Sequence, residues 1–169
     1  DHFLARKEDA EYAADVIASW SERYLSVPAI ENTASKESPG TVVVSESGTG
    51  TFTNSVATQS GHVFHADEPV TLGGSNVGPT PYDLLLSSLG TCKVMTMRMY
   101  ANRKKYKLSK AEVRLRHEKI HANDCADCET KSGKIDRIDV HITLDGDLTE
   151  QERQAIFKIA ERCPVHRTI

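Results

Sequence analysis

The chain has 169 residues, enough for one ordinary domain with a real core and an appendage. Its 21 basic and 24 acidic residues leave a net charge of −3, so electrostatics gives no case for a nucleic-acid partner. No apolar run is long enough to span a membrane and no signal peptide is visible, so the four cysteines point to a reducing cytoplasm, where they are catalytic, metal-binding or simply buried.

A chain that opens at Asp1 without a methionine reads as part of a longer protein. Residues 8–25 predict an amphipathic helix: Tyr12, Val16, Trp20 and Tyr24 recur every fourth position, and Ala13 and Ile17 widen the stripe. Residues 26–40 carry prolines and small polar residues, the composition of a linker. From Thr41 the texture becomes short β-branched or alternating runs. "TVVV" (41–44), "TFTNSVA" (51–57) and "HVFHA" (62–66) are separated by glycine-rich turns and predict a meander of strands.

The glycine-rich loop "LGGSNVGPTP" then feeds a long helix whose apolar residues lie all round it: Leu84, Leu85, Leu86, Leu89, Val94, Met95, Met97 and Met99. That distribution predicts burial on most sides. "AEVRLRH" (111–117) and "IDRIDVHITL" (135–144) alternate as strands, the first ending at His117. A last helix begins at Thr149, where "TEQE" forms a capping box with Glu152, and Pro164 ends it. Its inner stripe is Ile156, Ile159, Ala160 and Cys163. The order predicts an α+β domain over 41–169, preceded by a helix (1–25) and a linker (26–40).

Read from the residues alone, Cys92 is either a small hydrophobe in a buried helix or a reactive thiol beside an apolar pocket. It lies about three turns from the helix start, beyond the reach of the helix dipole, so a charged neighbour would have to activate it. A second cluster, "HEKIHANDCADCE", sets His117, His121, Cys125 and Cys128 within one short segment. Those four could bind zinc tetrahedrally, or the Cys-x-x-C pair could be a dithiol, a disulfide or merely solvent-exposed.

"GPTPYDLLLSSLGTC" followed later by "CPVHRTI" resembles the OsmC/Ohr family of osmotically inducible and organic-hydroperoxide-resistance proteins, over residues 41–169. The resemblance implies an OsmC-like fold, with antiparallel sheets wrapped around long buried helices in an intertwined homodimer. It implies that Cys92 is the peroxidatic thiol and Cys163 the resolving one, with an organic hydroperoxide as substrate, a dithiol as reductant and no required cofactor. Peroxidase members of the family activate the thiol with an arginine, held by a glutamate ten residues before the cysteine. Here Tyr82 stands at that place and Asp83, the nearest acid, follows it, while no arginine lies between Arg23 and Arg98. His62 and His65 are the nearest cationic candidates.

The opening "DHFLARKEDAEYAADVIASWSERYL" resembles the C-terminal end of an α/β-hydrolase, with His2 at the place of the triad histidine. No Gly-x-Ser-x-Gly elbow accompanies it, so this chain carries no complete hydrolase site. Two alternatives to the peroxidase reading follow. One is a metal or small-ligand module using the histidine–cysteine cluster, and the other is an accessory domain of a hydrolase.

Overall fold

The computed structural model describes residues 6–24, 30–121 and 133–169. Two compact units divide the chain, Asp1–His65 and Ala66–Ile169. In the first, helix α1 spans Lys7–Tyr24, within a residue of the sequence expectation. Lys7 pairs with Glu11 one turn on, and Arg6 with Asp9. The expected apolar stripe is present but open to solvent, with Tyr12, Val16, Ile17 and Trp20 all exposed.

Strands β1 (Val42–Glu46), β2 (Asn54–Thr58) and β3 (Val63–Ala66) form a three-stranded sheet in that order. β1 and β2 pair antiparallel from Val42 opposite Thr58 to Glu46 opposite Asn54. A tight turn joins β2 to β3, where the Thr58 N–H donates to the His62 carbonyl at 2.8 Å.

The second unit begins with a loop organised by the buried carboxylate of Asp67, which accepts backbone N–H bonds from Glu68, Ser75 and Val77. The loop delivers the chain to helix α2, Pro81–Lys104. Thr80 caps the helix, its hydroxyl accepting from the Asp83 N–H while the Asp83 carboxylate accepts from the Thr80 N–H at 2.9 Å. Pro81 sits at the first helical position, where its missing N–H costs nothing.

β4 (Lys107–His121) and β5 (Lys134–Asp147) form an antiparallel ribbon, paired from Lys107 opposite Asp147 to His121 opposite Lys134. β4 therefore runs past His117, which lies inside the strand and not at its end. The local alternation fades there, but cross-strand partners such as Glu118 opposite Arg137 and Ile120 opposite Ile135 carry the ladder on. Ala111 and Val113 pack towards the core, whereas Glu112, Arg114, Arg116 and Glu118 join ion pairs on the other face. Near the base of the ribbon the register shifts between Leu108 and Lys110, a β-bulge. Two arginine forks brace it. Arg98 of α2 donates to the carbonyls of Leu108 and Ser109, and Arg153 donates to those of Leu144 and Gly146. Gly146 has φ +142°, and a Cβ there would stand 2.1 Å from the Lys107 carbonyl oxygen.

Helix α3 spans Glu150–Ala160, and Thr149 with Glu152 forms the expected capping box. The core of this unit joins Met97 and Ala101 of α2, Leu108 and Leu144 of the ribbon, and Ile156 and Ala160 of α3. Burying a methionine or isoleucine side chain contributes about 1.5–3 kcal/mol. The buried side of α2 is the stripe Leu89, Lys93, Met97 and Ala101, four residues apart, with Gly90 beside it against Leu115. Burial on most sides is not what a single chain provides, because one ribbon and one short helix cover only part of its circumference. Met95 and Met99 remain 60% and 73% exposed.

Candidate functional site

The inward stripe of α2 carries a charge where a hydrophobe is expected. Lys93 is 3% exposed and directly follows the half-buried Cys92. Its ammonium reaches across to the end of α3 and donates to the Ala160 carbonyl at 3.1 Å. Carbonyls in the last turn of a helix lack an intrahelical partner, and a cation there also suits the helix dipole. The second partner is His166 Nδ1 at 2.9 Å. An ammonium only donates, so this ring nitrogen accepts.

α3 stops at Ala160, and Cys163 lies beyond it, where Pro164 opens a single 3-10 turn, Val165–Arg167. The sequence placed Cys163 on the helix itself; the chain turns first, and the turn is what faces its sulfur inward. The Cys163 side chain is fully buried, and its sulfur accepts the His166 N–H at 3.4 Å. Burial pushes this thiol above its ordinary range, and the neighbouring Cys92 thiol, acting on it as a hydrogen-bond partner, pushes the same way. The His166 N–H and the Lys93 charge act in the opposite direction. The fold thus brings together two cysteines from distant parts of the chain, with an amine and an imidazole beside them.

Lys93 and His166 were missed in the sequence. The signal for Lys93 was a charge at the same helical phase as Leu89 and Met97. For His166 it was a histidine one turn after Cys163.

A groove of about 560 Å³ runs between α2 and β4, lined by Leu86, Val94, Met95, Val113 and Leu115 among others, with Asp83 at one end. Cys92 is not among its lining residues, although its neighbour Thr91 is. A smaller cavity of about 370 Å³ opens over Lys93 and His166, with Val140, Ile142, Phe157 and Glu161.

The Asp83 carboxylate is held by the Thr80 hydroxyl and N–H, which lower its pKa. In the first unit, His65 Nδ1 lies 3.3 Å from the Asn54 carbonyl, and His62 is exposed.

His117 stacks on Tyr82 with ring centroids 4.0 Å apart, and its Nε2 donates to Asp136 Oδ1 at 2.7 Å. Lys119 pairs with the same carboxylate at 3.1 Å, and the two partners lower its pKa. His121 ends β4, and Cys125 and Cys128 lie outside the described residues. At about 3.3 Å per strand residue, His117 and His121 stand roughly 13 Å apart along β4, a wide span for two ligands of one ion. Among the described residues no group of three or more histidine, cysteine or acidic side chains is arranged to hold a metal.

Comparison with solved structures places this geometry in a known fold. A Psychrobacter arcticus protein described as a candidate osmotic-stress-induced and detoxification-response protein aligns with TM-score 0.61 and 21% identity, over 79% of this chain and 90% of its own. An organic hydroperoxide resistance protein from Legionella pneumophila aligns with TM-score 0.55 and 22% identity, over 79% and 91%. An OsmC-like protein from Mycoplasma pneumoniae gives 0.56 and 21%, over 76% and 83%. At such identities the likeness concerns the fold, a mixed α+β arrangement of antiparallel sheets and helices. No curated protein matches the chain. Residues 73–169, which hold α2, the ribbon, α3 and both thiols of the site, match the family described as OsmC-like protein, and the chain belongs to that family.

Proposed function

We propose that this protein reduces organic hydroperoxides through Cys92 and Cys163, as part of oxidative-stress defence. The observation that carries the reading is that the half-buried Cys92 neighbours the buried Cys163, beside a buried amine. The family assignment and the hydroperoxide-resistance name of one structural neighbour support it. The groove lined by leucine, valine and methionine suits an apolar substrate better than hydrogen peroxide.

The half-buried Cys92 is the thiol that meets peroxide. Its thiolate attacks the terminal peroxide oxygen, an S–O bond forms, the O–O bond breaks, and the alkoxide leaves as the alcohol after taking a proton. Cys163 then closes a disulfide on the resulting sulfenic acid, and a dithiol reduces that disulfide. Two such chains form a homodimer in this reading, with the open face of α2 as the contact. α1, whose apolar stripe is exposed, is the tail of a preceding α/β-hydrolase domain.

Adding an organic hydroperoxide to the protein should consume thiols stoichiometrically and give a Cys92–Cys163 disulfide on peptide mapping. Cys92→Ser should abolish the reaction, and Cys163→Ser should accumulate sulfenic or sulfinic acid at Cys92. Oxidation confined to Cys125 and Cys128, with Cys92 unmodified, would move the chemistry to the ribbon loop.

A further inference from the structure

Lys93 is a buried cation whose two hydrogen-bond partners, the Ala160 carbonyl and the His166 ring, are both neutral. Removing an ammonium from water is costly unless an anion compensates it. Among the described residues no carboxylate pairs with Lys93. The titratable groups around it are Cys92 on its own helix, and Glu161, Cys163 and His166 from the end of α3 and the turn after it. Glu161 is exposed at the edge of the cavity, whereas Cys163 is fully buried and already feels the Lys93 charge. The group buried beside Lys93 that can supply an anion is therefore the Cys163 thiol, which rests protonated and becomes a thiolate only when it reacts.

We propose that Lys93 is the counter-ion of the thiol pair, stabilising the Cys163 thiolate as it attacks oxidised Cys92, and that His166 is a positioning residue that holds Lys93 in place. The proposal deepens the peroxide reading and rests on it for the attacking step. In that step the deprotonated Cys163 sulfur attacks the sulfur of the Cys92 sulfenic acid. The S–S bond forms, the S–O bond breaks, and the departing hydroxide takes up the proton that Cys163 released, leaving as water. Cys163 is oxidised as the sulfenic sulfur is reduced, so the hydroperoxide remains the sole oxidant. Lys93 thus sets a cation beside Cys163 in a chain with no arginine between Arg23 and Arg98.

The test titrates Cys163 by thiolate absorbance in the chain carrying Cys92→Ser, Cys125→Ser and Cys128→Ser. Lys93→Met should raise the midpoint by about one unit or more, Lys93→Arg should stay near the parent, and His166→Phe should shift it the same way by less. With Cys92 restored, Lys93→Met should slow disulfide closure about tenfold at neutral pH while sulfenic acid still forms on Cys92. Should Lys93→Met fail to fold, Lys93→Gln carries the same titration. A Cys163 midpoint unmoved in the neutral variant overturns the proposal, whatever the protein does with hydroperoxide. A protein that consumes no hydroperoxide yet shows the shift loses the peroxide reading and keeps Lys93 as counter-ion.

Discussion

Cys163 makes the stability of the protein depend on alkaline pH. Its pKa is raised in the fold, chiefly by burial, so the native chain keeps this proton at pH values where the unfolded chain has lost it. The stability concerned is fully present below the unfolded value of about 8.5 and is lost as pH rises through the folded one. The thermal midpoint should fall more steeply between about pH 8 and pH 10 in the wild type than in Cys163→Ala, by calorimetry across that range. Parallel slopes in the two proteins would show that the buried thiol is not the group responsible. The two cysteines themselves were legible in the sequence through their surrounding motifs. Lys93 was not, because its partners, a carbonyl at the end of one helix and a ring in the following turn, exist only after α3 has docked on α2. Asp83, the acid nearest the place of the family glutamate, closes a capping box with Thr80 in the fold, the same device that the sequence shows at Thr149 and Glu152.

At the level of elements, helices were the easier part, since periodicity and caps are written locally. α1, the entrance of α2 and the start of α3 all fall within a residue or two of where pattern and punctuation put them. The ribbon was only partly legible. Alternation marks its middle, whereas its ends depend on pairing across the two strands, which no single segment encodes. The bulge was invisible, although Gly146 is its sequence trace. Gly146→Ala should cost about 3 kcal/mol, from backbone strain together with the close approach to the Lys107 carbonyl. Denaturant midpoints measure this, and a loss below about 0.5 kcal/mol would mean that the ribbon re-registers at little cost. Any such slip would also carry the Leu108, Ser109, Leu144 and Gly146 carbonyls away from the two guanidinium forks that hold them.

For the molecule as a whole, the telling feature is the helix with a packed side and an open one. A long apolar surface around Met95 and Met99 is what a second copy of the chain would cover, and we expect a dimer by light scattering at micromolar concentration. A well-behaved monomer would refute that expectation. If the open side of α2 is closed only by a second chain, folding and association share one equilibrium, and dilution acts as a denaturant. The melting temperature should then climb with protein concentration. Because Cys92 and Lys93 ride on that same helix, the reactivity of the thiol pair would be set in part by how much of the protein is present.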